Sequence, residues 1–187
     1  IISAFHPLRS GATLLLTIGS AIAQSPDQSV AQANHAVRLY QEACIKNFAI
    51  PARVSAWATS AVLVEIPSPH SGAFLNGRAG TVWGATNALG NFVVVSHLEG
   101  MCSVQARRAN AEAAKIGYLQ SLPAQIGGLT KTQVSESTRD TPTGPMYTLA
   151  HEIGGEKSPV IVTTVLSTSE SEQAPMQAIF SIATRKK

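Results

Sequence analysis

Charged side chains are scarce in this sequence. Asp, Glu, Lys and Arg make up 13% of the 187 residues, about half of the usual quarter. The low charge excludes a coiled coil, and the 44% of hydrophobic residues excludes a disordered chain. The net charge is +3, but the basic residues do not form the stripe or cluster that binding to nucleic acids or anionic membranes requires. We therefore expect a folded protein with no nucleic-acid partner.

Sequence motifs of common active sites are also missing. The glycines between positions 72 and 90 do not form the Gly-x-Gly-x-x-Gly pattern of a phosphate-binding loop, and no serine stands in a Gly-x-Ser-x-Gly elbow. The pair His151-Glu152 resembles the start of a zinc-protease helix, but Gly155 occupies the position of the second histidine ligand. We expect no metal and no cofactor. These absences favour a non-catalytic protein.

The first 23 residues have the composition of a secretory signal peptide. Arg9 is followed by a short apolar stretch at 11–19, and Ala21-Ile22-Ala23 is a small-x-small cleavage site. The apolar stretch is too short to span a bilayer, which takes about 20 residues. We predict a signal peptide at 1–23 and one α+β domain at 24–187. The expected localisation is periplasmic or secreted, with no transmembrane segment in the mature chain.

The chain has two cysteines, too few for a disulfide-dense scaffold. In an exported protein, an even number of cysteines favours a disulfide, which we predict between Cys44 and Cys102. The bond would close a loop of about 60 residues and stabilise the fold by about 4 kcal/mol. A reactive thiol has no support, because there is no Cys-x-x-Cys motif and no histidine close in sequence.

Helices are predicted in three places. Apolar residues recur every three or four positions between Val30 and Phe48, with Ser25 as the N-cap. A short helix follows Pro51. The third helix covers 109–122, with Asn110 as its cap. Its inward side chains are expected to be Ile116, Leu119 and Leu122.

Strands fill the rest of the chain. Three segments between positions 81 and 107 read as an antiparallel meander, whose third strand places Cys102 on the face that the first helix covers. Four further strands are predicted at 130–137, 146–153, 159–167 and 176–184, and the apolar run at 160–166 is expected to be a well-buried central strand. The predicted fold is α+β, an antiparallel sheet packed against N-terminal and central helices.

Three residues form the one candidate ligand site. His97 and Glu99 lie near a hairpin tip on the same side of an extended chain, where polar residues are common. Trp83 stands among glycines that leave room beside its ring. If these side chains converge, they could serve a periplasmic hydrolase or a small-ligand-binding protein.

The layout resembles small exported proteins of Gram-negative bacteria whose function is unknown. The similarity covers residues 36–125 and rests on Cys44 and Phe48 in a helix, on the Val82-Trp83-Gly84 strand, and on the segment Gly100-Met101-Cys102-Ser103-Val104. These are packing motifs, so the resemblance implies an exported domain and assigns no catalytic residue. The main hypothesis is a non-catalytic periplasmic domain that binds a protein or an envelope component.

Overall fold

A computed structural model of the chain describes residues 25–122, 125–126, 129–154 and 160–186. The predicted signal peptide at 1–23 lies outside the described residues. Four α-helices and one π-helical segment are present in the described ranges: α1 (Pro26–Leu39), the π-helical segment (Tyr40–Ile45), α2 (Pro51–Ser60), α3 (Gly72–Leu75) and α4 (Ala111–Ser121). None of the helices in these ranges has both the length and the apolar character needed to cross a membrane.

The described strands form one antiparallel sheet. In chain order they are β1 (Val64–Glu65), β2 (Gly80–Asn87), β3 (Gly90–His97), β4 (Met101–Ala106), β5 (Gln125–Ile126), β6 (Leu129–Thr141), β7 (Gly144–Gly154), β8 (Val160–Thr168) and β9 (Ala178–Lys186). Their order across the sheet is β1-β2-β3-β4-β9-β8-β7-β6-β5. The α+β class, the three-strand meander and the four longer C-terminal strands are confirmed; the two-residue strands β1 and β5 were not predicted.

Helices α1, α2 and α4 cover one face of the sheet. Ser25 caps α1 by accepting a hydrogen bond from the Gln28 N–H, and Asn110 caps α4 by accepting from the Ala113 N–H at 2.9 Å. Both caps agree with the sequence. Beneath these helices lie the buried side chains that alternate on the strands, including Phe92, Cys102 and Phe180.

The predicted disulfide is present. Cys44 lies in the π-helical segment and Cys102 on β4, and the bond joins them across 58 positions of sequence. Both residues are fully buried. The alternation of β4 had placed Cys102 on the helix-covered face, and the bond confirms that prediction.

The predicted inner face of α4 is wrong at two of its three residues; the third, Leu122, is buried as predicted. Ile116 and Leu119 are 48% and 38% exposed, and the buried face carries Ala114, Gly117 and Tyr118 instead. The reason is the closeness of α4 to α1. A Cβ atom at position 117 would lie 2.6 Å from Cγ2 of Val37, so small residues at the contact allow the two helices to approach.

The strand that is buried on both faces is β3, not β8. Every residue from Phe92 to His97 is buried. Helices α1, α2 and α4 cover one side of the strand, and Ile66, Met176 and the α3 residues Phe74 and Leu75 cover the other. Strand β8 alternates between buried and half-buried residues, since the helices cover only one of its faces. A continuous apolar run does not show on how many sides a strand is covered.

Candidate functional site

A groove of about 700 Å³ opens between the helices and the first edge of the sheet. Its volume lies in the range of small-molecule and peptide sites. The groove is lined mostly by apolar side chains from α1, α2, β1 and β2, which are joined at one end by polar residues. The lining residues are His35, Leu39, Trp57, Ala61, Val62, Leu63, Val64, Ile66, Gly84, Ala85, Thr86 and Asn87.

The outer wall of the groove is formed by residues that follow α2. Val62 adopts a left-handed backbone conformation with φ of +55°, and the Leu63 N–H donates to the Ala58 carbonyl at 3.0 Å. This geometry ends the helix and turns the chain into β1. As a result Val62 and Val64 are 84% and 72% exposed. A left-handed β-branched residue is uncommon and strained, which is typical of functional segments.

The polar end of the groove is organised around His35. The Asn87 side-chain oxygen accepts from the Leu89 N–H at 2.9 Å, so the Asn87 amide nitrogen donates to His35 Nε2, also at 2.9 Å. Nε2 therefore acts as an acceptor, which requires a neutral imidazole. The ring also contacts Phe92, with centroids 4.7 Å apart. Burial, and secondarily the charge of Arg38, lowers the pKa of His35.

The residues of the sequence-based candidate site do not share one cleft. Trp83 is buried on the helix-covered face, as expected of a core residue. Side chains alternate between the two faces along β3. Phe92 and Val94 of this strand belong to the helix-covered face, so His97 lies on the opposite face. Glu99 is exposed at the following turn and forms an ion pair with Arg78 at 2.9 Å. His97 and Glu99 are neighbours, but Trp83 is separated from both by the sheet.

His97 is a buried histidine with an unsatisfied nitrogen. It is 3% exposed, and its Nδ1 has no hydrogen-bond partner in the described part of the chain. Burial is the main reason why the pKa of His97 is lowered; Arg78 lowers it further, and Glu99 opposes the shift. The imidazole is therefore held neutral beside the ion pair of Arg78 and Glu99.

His151 lies on β7, in agreement with the strand predicted at 146–153. It does not lie on a helix of the zinc-protease type. It is buried beneath α4, where Tyr118 Oη lies 3.3 Å from its Nδ1 and 2.9 Å from Oγ1 of Thr164. Burial lowers the pKa of His151, with a smaller contribution from Lys131. Burial also raises the pKa of Tyr118 to about 12. The three side chains satisfy one another and hold α4 on the sheet.

A second cavity, of about 300 Å³, lies beside α4 at the far end of the sheet. Tyr147 donates to the Glu136 carboxylate at 2.6 Å, and the Lys115 ammonium lies 3.4 Å from that carboxylate. The bond from Tyr147 is the main cause of the lowered pKa of Glu136, and hydrogen bonding to Tyr147 raises the pKa of Lys115. Both groups are held in their charged forms, which is unfavourable for general acid–base catalysis.

The geometry of the groove was not found from the sequence. Its outer wall is encoded by Ala61-Val62-Leu63-Val64-Glu65-Ile66, an apolar run that is too short to separate a strand from a loop. Within the described ranges, no group of three or more His, Cys, Asp or Glu side chains is placed to hold a metal ion. Comparisons of the chain with protein-family models, curated proteins and solved structures find no match.

Proposed function

We propose that this protein is a non-catalytic binding domain whose groove receives an extended apolar segment of a partner protein. The observation that carries the proposal is the exposure of Val62 and Val64, at 84% and 72%, on the wall of an apolar groove. Exposed apolar side chains that border a cavity are typical of interaction sites. The mixture of an apolar lining with a few polar groups at one end suits a ligand of defined orientation.

An extended peptide is favoured over a compact ligand because the groove borders a sheet edge. The Ile66 N–H donates to the Val82 carbonyl at 2.8 Å, so the backbone groups of Val64 and Ile66 point toward β2. Alternation then directs the N–H and C=O of Glu65 away from the sheet. A peptide that lies beside β1 would bond to Glu65 and place alternate side chains in the groove, the mode known as strand addition.

Export to an oxidising compartment is part of the proposal. The buried disulfide between Cys44 and Cys102 supports it, because such bonds persist outside the reducing cytosol. The composition of residues 1–23 is that of a signal peptide, which favours the periplasm. The partner would then be a periplasmic or envelope protein.

The proposal is tested with a displayed library of random nine-residue peptides, panned against the immobilised protein. We expect the enriched peptides to carry apolar residues at alternate positions. Val64→Asp should weaken their binding about tenfold or more, because it removes the burial of one valine side chain and adds a charge. Fluorescence anisotropy of a labelled, enriched peptide measures the affinity.

The matched control is Leu98→Asp. Leu98 is 68% exposed and lies at the turn after β3, outside the residues that line the groove. The control should bind peptide as the wild type does. Failure to enrich peptides, or equal binding by Val64→Asp, contradicts the proposal. A groove that instead takes small apolar molecules would enhance anilinonaphthalenesulfonate fluorescence in the wild type and not in Val64→Asp, without enriching peptides.

A further inference from the structure

Among the residues that the structure describes, strand β6 has a long unpaired edge at the end of the sheet remote from the groove. It runs from Leu129 to Thr141, and β5 pairs with it only at Leu129 and Thr130. Every residue at 132–140 is exposed. A free edge of this length is a template for pairing with another strand.

Register identifies the backbone groups that face outward. Asp140 lies opposite Pro145 of β7. Proline has no N–H to donate, so this cannot be a hydrogen-bonded pair, and the backbone of Asp140 faces away from β7. By alternation Glu136 and Thr138 also face outward. The bulge between Gln133 and Ser135 shifts the alternation by one residue, so that upstream of it Lys131 and Gln133 face outward.

We propose that two copies of the chain associate through β6, antiparallel and edge to edge. In the proposed register Lys131 lies opposite Asp140 of the partner subunit, and Gln133 lies opposite Thr138 of the partner subunit. All four positions have outward backbone groups, so both pairs can form hydrogen bonds across the two-fold axis. Each pair occurs twice because the interface is symmetric.

Side-chain orientation agrees with this register. Lys131 donates to the Leu122 carbonyl at the end of α4, so its side chain lies on the helix-covered face. Glu136 contacts Lys115 of α4, and by alternation Thr138 and Asp140 lie on that same face. Paired residues in a sheet must share a face. Because the bulge adds one residue to β6, the outward residues before it and those after it have their side chains on the same face of the sheet.

The charged side chains of β6 in one copy are complementary to those of β6 in the second copy. Lys131 and Arg139 are balanced by Glu136 and Asp140, and the two-fold axis brings Lys131 of each copy to Asp140 of the partner subunit. Charged side chains on an edge strand usually oppose pairing, but in this register each of these two residues meets a charge of opposite sign. The bulge does not disturb the register between the two copies. In each copy the same four residues, 134–137, separate Gln133 from Thr138, so both pairs can form on either side of the two-fold axis.

Analytical ultracentrifugation of the purified protein tests the proposal with two variants at one position. Thr138→Pro removes an outward N–H and should give a monomer, whereas Thr138→Val keeps the N–H and should remain a dimer. Position 138 is chosen because its N–H is not bonded to β7, so proline should leave the fold intact. Circular dichroism checks the fold of both variants.

Charge reversal provides a second, independent test. Asp140→Lys should weaken the dimer about tenfold, since it places like charges opposite each other twice, and Lys131→Glu combined with Asp140→Lys should restore it. Hydrogen exchange should show concentration-dependent protection of the amides of Gln133 and Thr138. A wild type that is monomeric at all concentrations, or a dimer that Thr138→Pro leaves intact, overturns the proposal.

Discussion

Val62 stores backbone strain at an exposed position. Its φ of +55° is unfavourable for a β-branched residue, while its side chain is 84% exposed and contributes little burial. We expect Val62→Asn to raise the free energy of unfolding by roughly 0.5–1 kcal/mol, because asparagine tolerates this conformation. Urea denaturation measures the change.

Val64→Asn is the control for that prediction. Val64 lies in β1, where the extended backbone gives asparagine no advantage, so the substitution should not stabilise the protein. Both variants should weaken binding in the groove if the proposed function is correct. Equal stabilities for the wild type and Val62→Asn would show that the left-handed turn carries no strain.

Three partly or fully buried histidines make the stability depend on pH. The pKa values of His35, His97 and His151 are all lowered from 6.5, each mainly by burial. The unfolded chain therefore binds more protons than the folded one between the lowered pKa values and 6.5. This contribution to stability is fully present above pH 6.5 and falls as the pH drops toward the folded-state pKa values. We expect a lower free energy of unfolding at pH 5.0 than at pH 7.5.

His151→Gln separates one histidine from the other two. The variant should be less stable at pH 7.5, because the hydrogen bond between Tyr118 and position 151 is disturbed, but its stability should decline less between pH 7.5 and 5.0. Urea titrations at both pH values give the comparison. A decline as steep as that of the wild type would assign the pH dependence to other groups.

The contact between α1 and α4 depends on the absence of a side chain at position 117. Alanine has the higher helix propensity, by about 1 kcal/mol, but its Cβ would lie 2.6 Å from Val37. Overpacking of this kind costs about 1–3 kcal/mol. We expect Gly117→Ala to lower the free energy of unfolding by about 1 kcal/mol, as measured by urea denaturation.

A second substitution distinguishes the clash from other effects of alanine. Val37→Ala makes room for the added methyl group, so Gly117→Ala should be less destabilising in the Val37→Ala background than in the wild type. Additive losses would show that the two positions do not interact. Gln120→Ala, at an exposed position of the same helix, should change stability little.

At the scale of the whole molecule, the disulfide ties the helical layer to the sheet. It links the π-helical segment to β4, across 58 positions of sequence, and β4 lies between β3 and β9 in the sheet. Replacing Cys44 and Cys102 with alanine should lower the free energy of unfolding by about 4 kcal/mol, through the greater entropy of the unfolded chain. Urea denaturation of the double variant measures the loss.

Reduction of the wild type provides the control for the double variant. Both cysteines are fully buried, so a reductant should act only as the protein unfolds. Reduced wild type and the alanine variant should show similar denaturation midpoints. A double variant as stable as the oxidised wild type would contradict a stabilising role of the bond.

The local elements and one long-range contact could be predicted from the amino-acid sequence. Caps at Ser25 and Asn110, the alternation of β4 and the pairing of Cys44 with Cys102 were all predicted, because periodicity and capping are read over a few residues. Two cysteines leave one possible pairing within the molecule.

Which of the described surfaces stay exposed depends on the packing of elements that are distant in sequence. Pairing of β4 with β9 joins the meander to the C-terminal strands, and this fixes β1 and β6 near the two ends of the sheet. The groove beside Val64, the separation of Trp83 from His97 and the exposure of Ile116 follow from contacts between distant elements. Hydrophobic pattern shows that a side chain can be buried, but the neighbour that covers it is chosen by the packing of the whole chain.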